Sequence, residues 1–141
     1  MKKILLFIAL LAALDVPAQN AILGNWRTVD DKTGNSYAII EIYKSSDGLY
    51  YGKIAKMLVG EPGLKCELCT GEDHNALLEG LVILRGMRYN KEKNQLEGGS
   101  VLDPESGKFY YGKIYPKNGK LVLRGSLDKL GVFGRNQEWI R

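Results

Sequence analysis

The spacing of turn residues constrains this chain more than any other feature. From Leu23 onward, short extended segments alternate with compact turn sequences, and no stretch of helical period runs beyond two turns. The segments are Leu23–Asp30, Tyr37–Lys44, Leu49–Met57, Gly80–Tyr89, Gln95–Asp103, Lys108–Tyr115, Lys120–Leu127 and Gly134–Arg141. Between them lie Asp31-Lys32-Thr33-Gly34-Asn35, Asp47-Gly48, Asn90 to Asn94, Pro104-Glu105-Ser106-Gly107 and Asn118-Gly119. Asp-Gly and Asn-Gly supply the positive φ angles that tight hairpins need, so strands adjacent in sequence pair antiparallel. Eight such strands can close into a barrel, which removes the edges that an open sheet exposes. A two-sheet sandwich is the alternative. Gly52, Gly86, Gly98, Gly99, Gly112 and Gly125 favour the barrel, because they fall inside strands. Interior glycine weakens a strand unless bending or close backbone approach requires it. The expected fold is all-β: a single eight-stranded antiparallel up-and-down β-barrel.

Alternation orients the strands. Tyr50, Gly52 and Ile54 share a face free of lysine, and so do Ala38, Ile40 and Ile42; Leu121, Leu123 and Leu127 oppose Lys120 and Arg124. These residues are expected to point inward. Tyr50-Tyr51-Gly52-Lys53-Ile54 recurs as Tyr110-Tyr111-Gly112-Lys113-Ile114, but the match stops at the pentapeptide. Two strands meeting one steric problem explain it better than a duplicated half-barrel.

The residues before the strands have a different character. Met1-Lys2-Lys3 is followed by an uncharged run, Ile4 to Leu14, and then by Val16-Pro17-Ala18, with small residues where a signal peptidase cuts. That pattern reads as a secretory signal. A helix of this run would span roughly 16 Å against a hydrocarbon core of about 30 Å, too short for an anchor. The expected organisation is a cleaved signal peptide, residues 1–18, and one barrel domain, residues 19–141, exported to the periplasm or secreted. No integral membrane segment is expected after cleavage, and no Cys near the junction suggests lipid attachment. Loss of Lys2, Lys3 and Asp15 lowers the net charge from +4 to +3. The remaining basic residues are scattered without a run, which argues against a nucleic-acid partner.

Cys66-Glu67-Leu68-Cys69 is the most specific local signal, in the long irregular stretch from Val59 to Leu78. For an exported protein a disulfide is the default; a redox-active pair, a metal site completed by His74, and free thiols are the other readings. Thr70 after Cys69 excludes covalent haem attachment. His74, the only histidine, lies in a polar loop, so a catalytic triad has little to draw on. No G-x-S-x-G elbow or phosphate-binding loop occurs. Asp30-Asp31 and Asp103-Pro104-Glu105 sit in turns, where Asp accepts local backbone hydrogen bonds. The expectation is therefore no enzyme, no cofactor and no metal.

The terminal strands carry Gly24-Asn25-Trp26 and Arg135-Asn136-Gln137-Glu138-Trp139. In a closed meander they are neighbours, and alternation puts Arg135, Gln137 and Trp139 on one face. That face either plugs the barrel or anchors a ligand head group. Trp26, Tyr50, Tyr110 and Trp139 are the candidate wall residues of a binding site.

The ordered set Gly24-x-Trp26, Leu49 to Ile54, Cys66-x-x-Cys69, Gly80-Leu81, Gly98-Gly99 through Asp103-Pro104, Gly107-Lys108-x-Tyr110, Val122-Leu123-Arg124-Gly125 and Gly134-Arg135-x-Gln137-x-Trp139 resembles bacterial exported proteins of the domain of unknown function 2147 family. The resemblance covers about residues 22 to 141. It implies a small lipocalin-like barrel of the cell envelope without an established activity. It also implies a G-x-W start facing an arginine near the last strand, here Arg124 or Arg135, which adds Arg124 to the candidate ligand-binding residues. The function expected is a binding module for a small hydrophobic or amphipathic ligand; a filled barrel acting as an envelope interaction or stress protein is the alternative. On either reading, the intact mass of the exported protein should match residues 19–141 less about 2 Da for a closed disulfide. Retention of residues 1–18, or labelling of Cys66 and Cys69 without reductant, would contradict this.

Overall fold

The structure, a computed structural model, describes residues 18–141; all of the expected signal peptide except Ala18 lies outside the described residues. Eight strands follow one another: β1 (Gly24–Thr28), β2 (Ala38–Lys44), β3 (Tyr50–Met57), β4 (Val82–Asn90), β5 (Gln95–Asp103), β6 (Lys108–Lys117), β7 (Lys120–Ser126) and β8 (Gly134–Ile140). Each pairs antiparallel with the next, and β8 returns to β1, closing a barrel in simple sequence order. The sandwich alternative is excluded. Among the described residues no helix is long and apolar enough to cross a membrane.

The inward alternation is as read from the sequence for Ala38, Ile40, Ile42, Tyr50, Ile54, Leu121 and Leu123, all buried in one core. Leu127 is a correction. β7 ends at Ser126, and Leu127 opens the following loop, 73% exposed. Its chain direction changes before the alternation can carry it inward.

The strand glycines seat side chains from neighbouring strands. A Cβ at Gly52 would lie 2.6 Å from Leu84, one at Gly99 would lie 2.5 Å from the Met87 sulfur and closer still to the Arg85 carbonyl, and one at Gly112 would lie 2.5 Å from Val101. Leu84 and Met87, both essentially inaccessible, therefore fill the waist of the barrel through space that these glycines leave. Close packing of this kind leaves no room for another methyl group.

The two ends of the barrel differ. One end carries the tight turns at 45–49, 91–94 and 118–119 and is covered by the short 3-10 turn Ala18–Ala21. There Ile22 is fully buried, and the Trp26 indole N–H donates to the Ile22 carbonyl at 2.8 Å. The Arg141 guanidinium lies over the Trp26 ring, 4.1 Å from its centre, and donates to the Leu23 carbonyl at 3.0 Å. The arginine facing the G-x-W tryptophan is thus Arg141, one residue past β8, rather than Arg124 or Arg135. The opposite end carries the longer connections 29–37, 58–81, 104–107 and 127–133.

The packing makes a paired expectation. Gly99→Ala should lose roughly 1–3 kcal/mol from overpacking at the waist. At Gly125 an added Cβ would meet nothing nearer than 3.8 Å, and the backbone is ordinary there. Gly125→Ala should be neutral or slightly stabilising, since glycine inside a strand costs about 0.5–1 kcal/mol relative to alanine. Urea unfolding of both variants checks the contrast, and equal effects would refute the packed waist.

Candidate functional site

The inward residues of β8 build the loop-bearing mouth. Register places Trp139 beside Leu121, Gln137 beside Leu123 and Arg135 beside Gly125, so the three sample increasing distance from the core. Trp139 is buried, Gln137 half-buried and Arg135 exposed. The Trp139 indole N–H donates to the Gln137 side-chain oxygen at 2.7 Å, and the Gln137 amide donates to the Tyr37 hydroxyl at 2.6 Å. Burial raises the Tyr37 phenol above its ordinary pKa, the Gln137 hydrogen bond opposes this, and the negative charge of Glu105 adds to the rise. Tyr37 is therefore a neutral hydroxyl at physiological pH, able to donate onward.

Arg135 stands at the rim, its side chain 80% exposed, with Asp31 as its ion-pair partner at 3.4 Å. A pair this exposed is worth at most about 1 kcal/mol. A guanidinium has five N–H donors, so most remain for another acceptor. Beside it, Gly125 presents no side chain, and the nearest atom to its missing Cβ is Tyr110 Cβ at 3.8 Å. Gly125 thus leaves side-chain space between Tyr110 of β6 and Arg135 of β8.

The candidate residues read from the sequence divide accordingly. Tyr110, in the loop-end half of β6, and Arg135 flank Gly125, with Gln137 two residues further along β8. Trp26 and Tyr50 are buried toward the hairpin end, where Lys44 approaches the Tyr50 ring. Trp139 lies between, in the core. Arg124 faces outward and holds the 127–133 loop, donating to the Gly131 carbonyl at 2.6 Å, the Val132 carbonyl at 3.2 Å and the Asn136 side chain at 2.9 Å. Sequence reasoning missed Tyr37, Asp31 and the space at Gly125. Tyr37 opens the expected strand Tyr37–Lys44, where alternation sets it opposite the inward Ala38, but β2 begins only at Ala38; Asp31 lies in a turn, which alternation does not orient.

Cys66 and Cys69 form a disulfide, and both are buried. It belongs to an ordered segment: Lys65 and Leu77 form a bridge, the Cys66 N–H donates to the Ala76 carbonyl at 2.8 Å, and Asp73 pairs with Arg85 at 3.0 Å. His74 donates from Nδ1 to the Cys69 carbonyl at 3.0 Å, which leaves Nε2 to accept from the Asn75 amide at 3.2 Å. Its ring thus braces the disulfide turn. Among the described residues no three His, Cys, Asp or Glu side chains gather into a metal-binding group. Two open surface cavities, about 380 and 260 Å³, lie along this segment and are lined in common by Pro62, Gly63 and Leu64.

All of the exposed large apolar side chains among the described residues belong to the loop end. They are Leu58, Val59, Leu64, Leu68 and Leu77 between β3 and β4, Phe109 and Tyr111 at the start of β6, and Leu127, Leu130, Val132 and Phe133 between β7 and β8. The hairpin end shows none.

Residues 24–141 match the family model described as "Uncharacterized protein conserved in bacteria (DUF2147)". No curated protein matches the chain. Among solved structures, a protein of Helicobacter pylori, HP1028, described as belonging to the lipocalin family, superposes with a TM-score of 0.72 at 22% identity, over 84% of this chain and 81% of that one. The likeness establishes a lipocalin-like barrel fold.

The mouth network predicts its own sensitivity. Gln137→Ala leaves the buried Trp139 N–H without an acceptor and should cost about 1–3 kcal/mol. Urea unfolding followed by tryptophan emission measures this; an unchanged midpoint would show that the network carries no load.

Proposed function

Because the chain belongs to the DUF2147 family of bacterial proteins and its barrel is filled at the waist, we propose that it is an exported binding module that takes a small amphipathic molecule at the mouth of the barrel rather than in its lumen. The observation that carries this reading is the side-chain space left at Gly125 between Tyr110 and Arg135, the notch of the proposed site. Its chemistry suits an anionic head group: Arg135 supplies charge and forked donors, and Tyr37 and Gln137 supply neutral hydrogen-bonding groups. Tyr110 offers apolar surface to a short chain, and Leu123, two residues before Gly125 in β7, lies beneath it in the core. Residues 1–18 act as the cleaved leader, and the working protein is periplasmic or secreted.

The reading assigns no bond-breaking step. The thiols are joined to each other and His74 is spent on a backbone carbonyl, so neither the cysteines nor the histidine is set up as a nucleophile–base pair. The second reading, a barrel that acts only through its surface as an envelope interaction or stress protein, draws on the filled waist.

Calorimetric titration with dodecanoate separates the two. Binding at one site per chain is expected, weakened about tenfold by Arg135→Ala, which removes a charge-assisted contact. Gly125→Leu should abolish binding by occupying the notch while leaving the fold intact by circular dichroism. Binding unaffected by either substitution, or no binding by the wild type, would overturn the proposal.

A further inference from the structure

The connection from β7 to β8 is the most densely apolar of the long loops at its surface. Leu127, Leu130, Val132 and Phe133 are 65–80% exposed. Much of the backbone beneath them is paired, by the loop itself and by the strands under it. Asp128 accepts from the Val132 N–H at 3.0 Å and the Phe133 N–H at 2.8 Å, and these bonds hold its carboxyl below the usual range. The Leu127 N–H donates to the Phe133 carbonyl at 3.0 Å, the Ser126 hydroxyl to the Asp128 carbonyl at 2.7 Å and the Lys113 ammonium to the Leu130 carbonyl at 3.0 Å. Arg124 takes the Gly131 and Val132 carbonyls.

A loop so braced carries fewer unpaired peptide groups into an apolar medium, where such groups are the main obstacle for irregular backbone. Two of the braces are cationic and one, Asp128, is a carboxylate turned into the loop backbone. Lys113 and Arg124 sit under the loop, and Lys129 is on it. Among the described residues none of the three is in an ion pair. Arg135 follows directly and pairs with Asp31. Glu97, which senses the Lys113 charge, is held by Asn90 and Gln95. An apolar tip above a cationic collar complements an anionic bilayer, with side chains in the acyl boundary and cations at the phosphates. Size favours the same occupant. A stable protein interface buries about 800 Å² on each partner, from roughly 20–30 residues, more than one short loop can offer.

We infer that residues 127–133 are a membrane-docking loop that seats the mouth of the barrel on an anionic lipid surface. This does not depend on the notch binding a ligand, and the residues that test it are outside the notch.

The protein is prepared by export from a bacterial host and mixed with vesicles of phosphatidylglycerol and phosphatidylcholine, or of phosphatidylcholine alone. Sedimentation with the anionic vesicles is expected, falling steeply with added salt. Leu130→Ser and Phe133→Ser should each weaken it about tenfold, because each removes one inserted side chain. Lys129→Glu should weaken binding to anionic vesicles only. These side chains are exposed, so the fold should persist, and thermal unfolding verifies that. A Phe133→Trp variant adds a direct readout: its emission should shift to the blue on vesicle addition, against the constant background of buried Trp26 and Trp139. Absence of sedimentation, or sedimentation indifferent to the loop substitutions, overturns the inference. So does a concentration-dependent dimer abolished by Phe133→Ser, which would give the face to a second copy of the chain.

Discussion

Closure of the barrel rests on its shortest seam. β1 and β8 are registered only through Arg27 with Ile140 and Thr28 with Trp139, whereas the neighbouring seam between β7 and β8 has six paired positions. Side chains supply what the backbone ladder does not. At the hairpin end, Arg141 reaches from the end of β8 across the Trp26 ring of β1. At the loop end, Gln137 and Arg135 of β8 reach Tyr37 and Asp31, both on the connection that leaves β1. A buried hydrogen bond between neutral groups contributes about 1 kcal/mol and a stacked guanidinium about as much, so contacts of this kind can substitute for several ladder bonds. The same residues that close the barrel therefore line its mouth. On the proposed reading, recognition and closure share Gln137 and Arg135.

The filled waist decides where binding can occur. Leu84, Met87 and Val101 press into the space left by Gly52, Gly99 and Gly112, so a ligand in the lumen would have to displace close-packed side chains. Surface properties point the same way. Apolar exposure is confined to the loop end, while the hairpin end is sealed by Ile22, Trp26 and the 3-10 turn. An all-round solvated barrel would not need that asymmetry. A barrel that works through one end would.

Local sequence carried most of the fold and little of the site. Turn dipeptides such as Asp47-Gly48 and Asn118-Gly119 act through a few neighbouring residues, and strand alternation acts within a single segment, so both are readable without three-dimensional information. The eight strands accordingly lie within about two residues of their expected limits. Strand glycines signalled a tight barrel, but their physical role is to admit Leu84 and Met87, which only the register reveals. Arg141 and Tyr37 lie one residue beyond β8 and β2, where the alternation assumed from the sequence no longer holds, and Asp31 lies in a turn. Each finds its partner about a hundred residues away in sequence. The disulfide between Cys66 and Cys69 was legible because its partners are three residues apart. That His74 braces the same turn was not.

The central claim is that the waist is packed and any small ligand stops at the mouth. Methyl resonances of selectively labelled protein test it most directly, because Met87 lies at the waist with no solvent exposure and Leu123 lies under the mouth. On titration with dodecanoate the account predicts shifts at Leu123 with Met87 and Leu84 unmoved. Shifts at Met87 that track ligand occupancy would place the molecule in the lumen and contradict it.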